Sequence, residues 1–356
     1  MSNSYDNESI SSLKGADRVR KRPAVIFGSD GIEGCEHSVF EIISNSIDEA
    51  REGYGKTIKV TKYQDNSIEI EDFGRGIPVD FNKNENKFNW KLVFCELYAG
   101  GKYNNRDSQN YEYSLGLNGL GLCSTQYSSE YMDVDIRRDG MRYTLHFEKG
   151  ENIGGLKKEK YNGKDTGTKI RWKPDIEVFT DINIPEEYFI DMIKRQSVVN
   201  AGIDFIFRSE ENGKFREREF KYENGIADYV KEMVGEDTLT PVQSWKSEKM
   251  VRDRDDKPEY KTKIEVALTF SNKFHMAEYY HNSSWLEQGG APEKAVRSAF
   301  VSQVDSYIKQ SGKYNKNESK ITFADVEDCL VIVISLFTSK TAYENQTKKS
   351  ITNRGI

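Results

Sequence analysis

Apolar residues recur at three- and four-residue steps at Phe40, Ile43, Ile47 and Ala50. That is the spacing of one helix face, and it predicts a helix over residues 36–53. Alternating stretches then predict strands near 57–63 and 67–72, before a helix over 89–98 carrying Trp90, Leu92, Val93 and Leu97. A glycine-bounded polar segment, 99–121, is followed by a helical stretch from Ser124 to Tyr127. Strands over 131–137 and 141–149 are joined by Asp139-Gly140, a hairpin signal, and another strand is expected at 167–172. A helix near 185–199 and strands near 203–208 and 215–221 close this first half.

Beyond residue 220 the pattern starts afresh. A helix is predicted from Gly225 to Val234, with strands at 261–270 and 276–282. Val296, Phe300, Val304 and Ile308 mark a helix over 292–310, and 311–319 reads as a loop. Leu330 to Phe337 is a run of strand length that is apolar at every position but Ser335, the signature of a strand buried on both faces. The dense mixed charges of 246–263 read as a solvated hairpin tip. With 356 residues, the chain is expected to divide into a polar N-terminal arm, 1–20, and two domains, 21–220 and 221–356.

Candidate chemistry clusters in the first half. Glu41 and Asn45 are four residues apart, so they stack on one helix face. A carboxylate there can polarise a water, and a carboxamide oxygen suits a hard cation such as Mg2+. Asp72 ends a predicted strand that runs into Gly74-Arg75-Gly76. Ala99-Gly-Gly-Lys102 and Gly116-Leu117-Asn118-Gly119-Leu120-Gly121 bracket a polar loop whose glycines let backbone N–H groups approach phosphate oxygens. No Gly-Lys-Ser/Thr closes either run, so this is not a Walker A loop.

Together these motifs resemble the ATPase region of bacterial type IIA DNA topoisomerases, the gyrase B and topoisomerase IV B subunits. That family belongs to the gyrase, Hsp90, histidine kinase and MutL ATPase superfamily. The resemblance runs through Tyr5-Asp6, Val19-Arg-Lys-Arg-Pro23, His37-Ser-Val-Phe-Glu41, Asn45-Ser-Ile-Asp48-Glu49-Ala50, Asp72-Phe-Gly-Arg-Gly-Ile-Pro78, Thr166-Gly-Thr168, Gln288-Gly-Gly290 and Gln346-Thr-Lys348. It implies an α+β fold: a two-layer α/β sandwich of the Bergerat type that binds ATP, then a smaller α/β transducer domain like ribosomal protein S5 domain 2.

The resemblance also implies roles for individual residues. Glu41 is the general base that activates water, and His37 assists it. Asn45 is the Mg2+ ligand. Asp72 accepts the adenine amino group, with Thr168 supporting that end. Asp48, Glu49, Arg75, Gly76, Ile77 and Pro78 belong to the nucleotide pocket. Gly101, Lys102, Tyr103, Leu117, Asn118, Gly119, Leu120 and Gly121 hold the phosphates, and Gln346 and Lys348 reach the γ-phosphate. Tyr5, on an arm exchanged between subunits, contacts the partner's nucleotide. The implied partners are a second copy on ATP binding, a DNA-cleaving A-type subunit, duplex DNA and aminocoumarin-type inhibitors. The chain carries no toprim acidic cluster, so no DNA cleavage is expected from it alone.

Composition narrows this picture. Net charge is −6, so any DNA contact must come from a local patch or another polypeptide. Four scattered cysteines without a Cys-x-x-Cys pair exclude a zinc ribbon and suit reduced thiols. The longest apolar run is too short to span a bilayer and the N-terminus lacks a signal peptide, so a cytoplasmic protein is expected.

Four positions depart from the family pattern. Asn118 replaces histidine. Asp325-Val-Glu327-Asp328-Cys329 lacks the usual arginine and glycine. Ala291-Pro292 follows Gln288-Gly-Gly290. No proline lies between Phe337 and Asn345, where the family approaches its Gln-Thr-Lys loop through prolines. The alternative reading is a superfamily ATPase switch, or a scaffold without turnover, outside the topoisomerases.

Overall fold

The computed structural model describes residues 12–99, 115, 119–343 and 349–355. Its contacts form two compact units. One comprises 1–103, 116–189 and 206–218; the other comprises 104–115, 190–205 and 219–356.

In chain order the first unit opens with α1 (Asp17–Arg20), α2 (Pro23–Phe27) and the long α3 (Ile32–Arg51). Strands β1 (Thr57–Lys62) and β2 (Ile68–Asp72) follow, then a small hairpin of β3 (Phe81–Asn82) and β4 (Lys87–Phe88). Helix α4 (Asn89–Cys95) precedes the glycine-bounded segment, and α5 (Gly121–Tyr127) follows it. Strands β5 (Ser129–Arg138), β6 (Met141–Glu148), β7 (Glu151–Lys160) and β8 (Gly167–Pro174) lead to α6 (Glu186–Val199), β9 (Asp204–Glu211) and β10 (Lys214–Phe220).

Eight strands form one sheet in the order β10-β9-β1-β2-β8-β5-β6-β7. Its strands alternate. Ile58, Val60, Ile70, Val134, Ile136, Ile170 and Trp172 are buried on one face, while Glu69, Glu71, Asp133, Asp135, Lys169 and Arg171 point to the other. A sheet with one wet face needs helices only on its dry face. Helix α3 packs there on β1, β2 and β8, flanked by α2 and α5. Aromatic contacts carry the same layer outward: Phe94 of α4 packs on Phe147 of β6, and Phe189 of α6 stacks on Phe207 of β9.

Three expectations need correction. Helix α4 stops at Cys95 rather than 98 because the chain turns back through Tyr98, whose φ is +63° and whose N–H donates to Gly119 O at 2.9 Å. Residues 151–160, without apolar alternation, form β7 because the edge of β6 offers them a ladder. Lysines along this new edge then discourage further pairing. Residues 246–251 are strand rather than tip, since β11 (Gln243–Val251) pairs residue for residue with β12 (Tyr260–Phe270).

The second unit continues with α7 (Ile226–Val234), β11, β12, β13 (Met276–His281), β14 (Ser284–Trp285), α8 (Ala291–Gln310), α9 (Ala324–Glu327) and β15 (Leu330–Thr338). Its sheet runs β11-β12-β15-β13-β14, with β13 parallel to β15. Every residue of β15 is buried. Val331 and Val333 face α7 and the end of α6, while Leu330, Ile332, Ile334 and Leu336 face α8 and α9. The largely apolar run therefore reflects a strand covered on both sides.

Trp172 offers a test of the first core. It is fully buried and its indole N–H donates to Thr125 O at 2.9 Å, tying β8 to α5. Trp172→Phe removes this donor and leaves a small cavity where the indole was. It should lower unfolding free energy by about 1–3 kcal/mol in urea titrations, with an unchanged denaturant slope.

Candidate functional site

Helix α3 is the spine of the site. It starts from Gly31 and stays buried for most of its circumference: Cys35, Val39, Ile42, Ile43, Ile47 and Ala50 are in the core. Phe40, expected on the buried face, is only half-buried. Two carboxylates off the apolar face also go inside: Glu41 is 8% exposed and Asp48 2%. A helix wedged between a sheet and two other helices has little outer surface left.

His37 Nε2 lies 3.2 Å from Glu41 Oε1, one helical turn away. Glu41 Oε2 fills the space beside Gly121, where a Cβ would come within 2.2 Å of it. Glycine at the first residue of α5 is thus what lets the glutamate approach that helix. Asn45 donates its side-chain N–H to Glu41 O at 2.8 Å. That bond fixes the nitrogen of the carboxamide toward the helix backbone and so orients its neutral oxygen.

Asp72, at the tip of β2, sits under the same helix. Its Oδ1 accepts N–H groups from Gly74 (3.0 Å) and Thr168 (3.2 Å), and its Oδ2 accepts the Ser46 hydroxyl at 2.9 Å. Burial pushes its carboxyl above the usual range against these three donors, and the nearby Glu49 charge adds to the rise. Thr168 accepts the Ile77 N–H at 3.1 Å through its hydroxyl, which ties the turn after β2 to β8. Gly76 takes φ +78° there, with the backbone of Arg137 and Gly167 too close for any side chain. Pro78 is exposed just beyond.

Glu49 meets Arg75 at the same turn. It accepts from Arg75 Nε (2.6 Å), Nη2 (3.0 Å) and the backbone N–H (3.0 Å). The guanidinium also stacks on the Tyr54 ring at 3.8 Å. This pair fastens the end of α3 to the turn that carries Gly76 and Ile77.

The structure therefore brings Glu41, His37, Asn45 and Gly121 together, and joins Asp72, Thr168, Gly76, Ile77, Glu49 and Arg75 one turn further along α3. Gly119 and Leu120 lead into α5, with Gly119 at φ +60°. Tyr5, Gly101, Lys102, Tyr103, Leu117, Asn118, Gln346 and Lys348 lie outside the described residues. Sequence reasoning assigned no role to Ser46, Tyr54 or Thr166, whose hydroxyl donates to Gly74 O at 2.5 Å. Each works through a partner distant in the chain, so the local sequence does not reveal the bond it makes. A cleft of about 380 Å³ on the wet face of the sheet, lined by Glu69, Asp135, Arg142, Lys157 and Arg171 among others, contains none of these residues.

Comparison with known proteins fits this geometry. The sequence profile described as histidine kinase-, DNA gyrase B- and HSP90-like ATPase matches residues 32–177, which hold every described residue of the site. The profile described as DNA gyrase B matches residues 225–356. The chain belongs to the family of type IIA topoisomerase ATPase regions typified by gyrase B. It is 32% identical to the gyrase B protein of Mycoplasmoides gallisepticum, over 99% of this chain and 54% of that protein. It is also 32% identical to the gyrase B protein of Thermotoga maritima, again over 99% of this chain and 54% of that protein. The chain thus spans about half the length of the curated relatives it matches. Among solved structures, the 43K ATPase domain of Thermus thermophilus gyrase B, in complex with an aminocoumarin, superposes with a TM-score of 0.70. That match has 26% identity and covers 96% of this chain and 85% of the other. The topoisomerase IV ATP-binding domain of Francisella tularensis, bound to a small-molecule inhibitor, also gives 0.70, at 25% identity with 96% and 87% coverage. Among the described residues, no helix is long and apolar enough to cross a membrane.

Asp72 generates a pH test that needs no nucleotide. Its folded pKa is raised, so the stability it contributes is complete below the unfolded carboxylate pKa and is lost as pH rises through the folded value. An asparagine in its place does not titrate. The melting temperature of Asp72→Asn relative to wild type should therefore shift upward as pH rises above the ordinary carboxylate range, about pH 4. A difference that stays flat with rising pH in calorimetry contradicts the buried-carboxylate account.

Proposed function

We propose that this chain is the ATP-binding and ATP-hydrolysing part of a type II topoisomerase, acting as an ATP-driven dimer clamp. The observation that carries the proposal is the single buried helix α3, which presents the Glu41–His37 pair against Gly121 and meets the satisfied Asp72 carboxylate one turn on. The first two-thirds of the family pattern lies in a nucleotide domain, 21–220, and residues 221–356 serve as transducer.

In this reading Asp72 receives the adenine amino group. Three of its acceptor positions are already filled, which leaves Oδ2 one lone pair for one further donor. A base with a carbonyl at that position, such as guanine, offers no donor. Glu41 takes a proton from the attacking water, and His37 fixes the carboxylate's orientation. The residues fit a hard cation as well: Asn45 has its nitrogen committed to the helix, so its oxygen is the ligand. Mg2+ when bound offsets phosphate charge, and it needs few protein ligands because it keeps several waters. Lys102, Tyr103 and the amides around 117–121 hold the phosphates. Gln346 and Lys348 contact the γ-phosphate, and Tyr5 reaches the partner's nucleotide. An A-type subunit, duplex DNA and aminocoumarin-type ligands complete the proposed partners.

Glu41→Gln keeps the shape of the side chain and removes its basicity. It should abolish Mg2+-dependent phosphate release while ATP affinity stays within about threefold in calorimetry, a change of less than about 1 kcal/mol. Near-normal turnover in this variant would remove Glu41 as the base. Asp72→Asn should instead weaken ATP by about 1–3 kcal/mol, the scale of a lost hydrogen bond to a charged group.

A further inference from the structure

The turn from Gly74 to Ile77 carries the chain away from Asp72, and each of its residues is held through its backbone. Gly74 N–H donates to Asp72 Oδ1 at 3.0 Å, and its carbonyl accepts the Thr166 hydroxyl. Gly76 O accepts from Arg138 Nη1 at 2.8 Å, and Ile77 N–H donates to the Thr168 hydroxyl at 3.1 Å. These ties come from the ends of β2, β5 and β8 or the residue beside them. The tie at Arg75 comes instead from helix α3, where Glu49 Oε1 accepts the Arg75 N–H at 3.0 Å.

That tie differs in kind. The same Glu49 carboxylate also takes the Arg75 guanidinium, so it holds the turn only as firmly as the ion pair itself is held. The two side chains are 15% and 34% exposed. An ion pair that solvent reaches contributes little alone, and a long arginine has many rotamers to lose. Tyr54 supplies a further restraint: the guanidinium carbon lies 3.8 Å from its ring centroid. A planar cation stacked on a ring keeps few orientations in which it can also fork to a carboxylate.

The backbone places that ring. Helix α3 closes with Glu52 N–H on Asp48 O (3.2 Å), Gly53 N–H on Ala50 O (3.0 Å) and Tyr54 N–H on Glu49 O (3.2 Å). Gly53 takes φ +89° to do so. Gly55 then comes so close to the turn that a Cβ would lie 2.7 Å from the Phe73 carbonyl. Tyr54 therefore sits between two glycines that bring this corner onto the Asp72 turn. It is 44% exposed, and among the described residues its hydroxyl bonds to no protein group. The ring face is what the corner uses.

We propose that Tyr54 is a positioning residue for base recognition: by holding the Arg75 guanidinium in the Glu49 fork, it fixes the Gly74–Ile77 turn against α3 and with it the geometry around Asp72. The inference rests on the reading that Asp72 receives the adenine amino group. A site that holds its binding geometry only part of the time lowers apparent affinity by that fraction. The loss falls on every adenine nucleotide, with or without a γ-phosphate. It falls on KM rather than kcat, because the base is bound alike in the ground state and the transition state.

The test compares the full chain with Tyr54→Leu, Tyr54→Phe, Arg75→Gln, the Tyr54→Leu/Arg75→Gln double variant and Asp72→Asn. ADP affinity is measured by calorimetry, and KM and kcat by ATP turnover. Tyr54→Leu should weaken ADP about three- to fivefold, the scale of an exposed cation–π contact, raise KM by the same factor and leave kcat within about twofold. Tyr54→Phe keeps the ring and should restore wild-type values. Arg75→Gln should cost at least as much as Tyr54→Leu, and the double variant no more than Arg75→Gln, because the tyrosine acts through the guanidinium. If Asp72→Asn weakens ADP while Tyr54→Leu leaves it unchanged, the positioning role is wrong and the base reading stands. If Asp72→Asn leaves ADP affinity unchanged, the base reading falls and takes this inference with it. Losses that add in the double variant, or a fall in kcat in Tyr54→Leu that Tyr54→Phe does not repair, overturn the proposal.

Discussion

The structure of the first unit depends on burying a polar helix. Helix α3 lies between the dry face of the sheet and the helices beside it, so its inward carboxylates cannot reach bulk water. A buried charge without partners is costly enough to unfold a domain of ordinary stability. The acids at the site are therefore met by particular donors or cations: Glu41 by His37, Glu49 by the fork of Arg75. Asp72 at the strand tip below has the Ser46 hydroxyl and two backbone amides. The same demand sets the glycines. Gly74 leaves room for Glu49 Cγ, which would lie 2.3 Å from a Cβ, and Gly121 leaves room for Glu41.

In the role proposed for Glu41, this arrangement suits catalysis because it is expensive to disturb. A carboxylate held by a neighbouring histidine and packed against a glycine has little rotational freedom, so its orientation does not have to be established anew at each turnover. In the proposed function the adenine end works by the same logic. A nearly saturated acceptor has one position left, and specificity follows from what that last position refuses.

The second unit solves a different problem. Strand β15 is apolar on both faces and stitches two hydrophobic layers into one body. The chain leaving it then has to return to Gly290. Here order comes from polar bonds around Asp253, Asn353 and Tyr343 rather than from packing. Such bonds reach far along the chain: Asp253 and Arg354 are 101 residues apart in sequence.

Much of this was legible along the chain. The periodicity of α3, the alternation of β2, β5 and β6, and the largely apolar run of β15 located most elements within a few residues, because burial of one or both faces imposes a repeat on local sequence. Motif spacing also picked out Glu41, Asn45 and Asp72. Local sequence could not give β7 and β11, whose residues carry no apolar repeat and become strands only because a neighbouring edge offers hydrogen bonds. Nor could it tell that Glu41 and Asp48 are interior, that Ser46 donates to Asp72, or that Asp253, in a charged tip, is met by Lys340 and Arg354. Those facts depend on which distant groups arrive within hydrogen-bonding reach, and only the tertiary structure decides that. A repeat records how a segment meets the core as a whole, whereas a hydrogen bond records one partner, and the partner leaves no trace in the neighbouring residues.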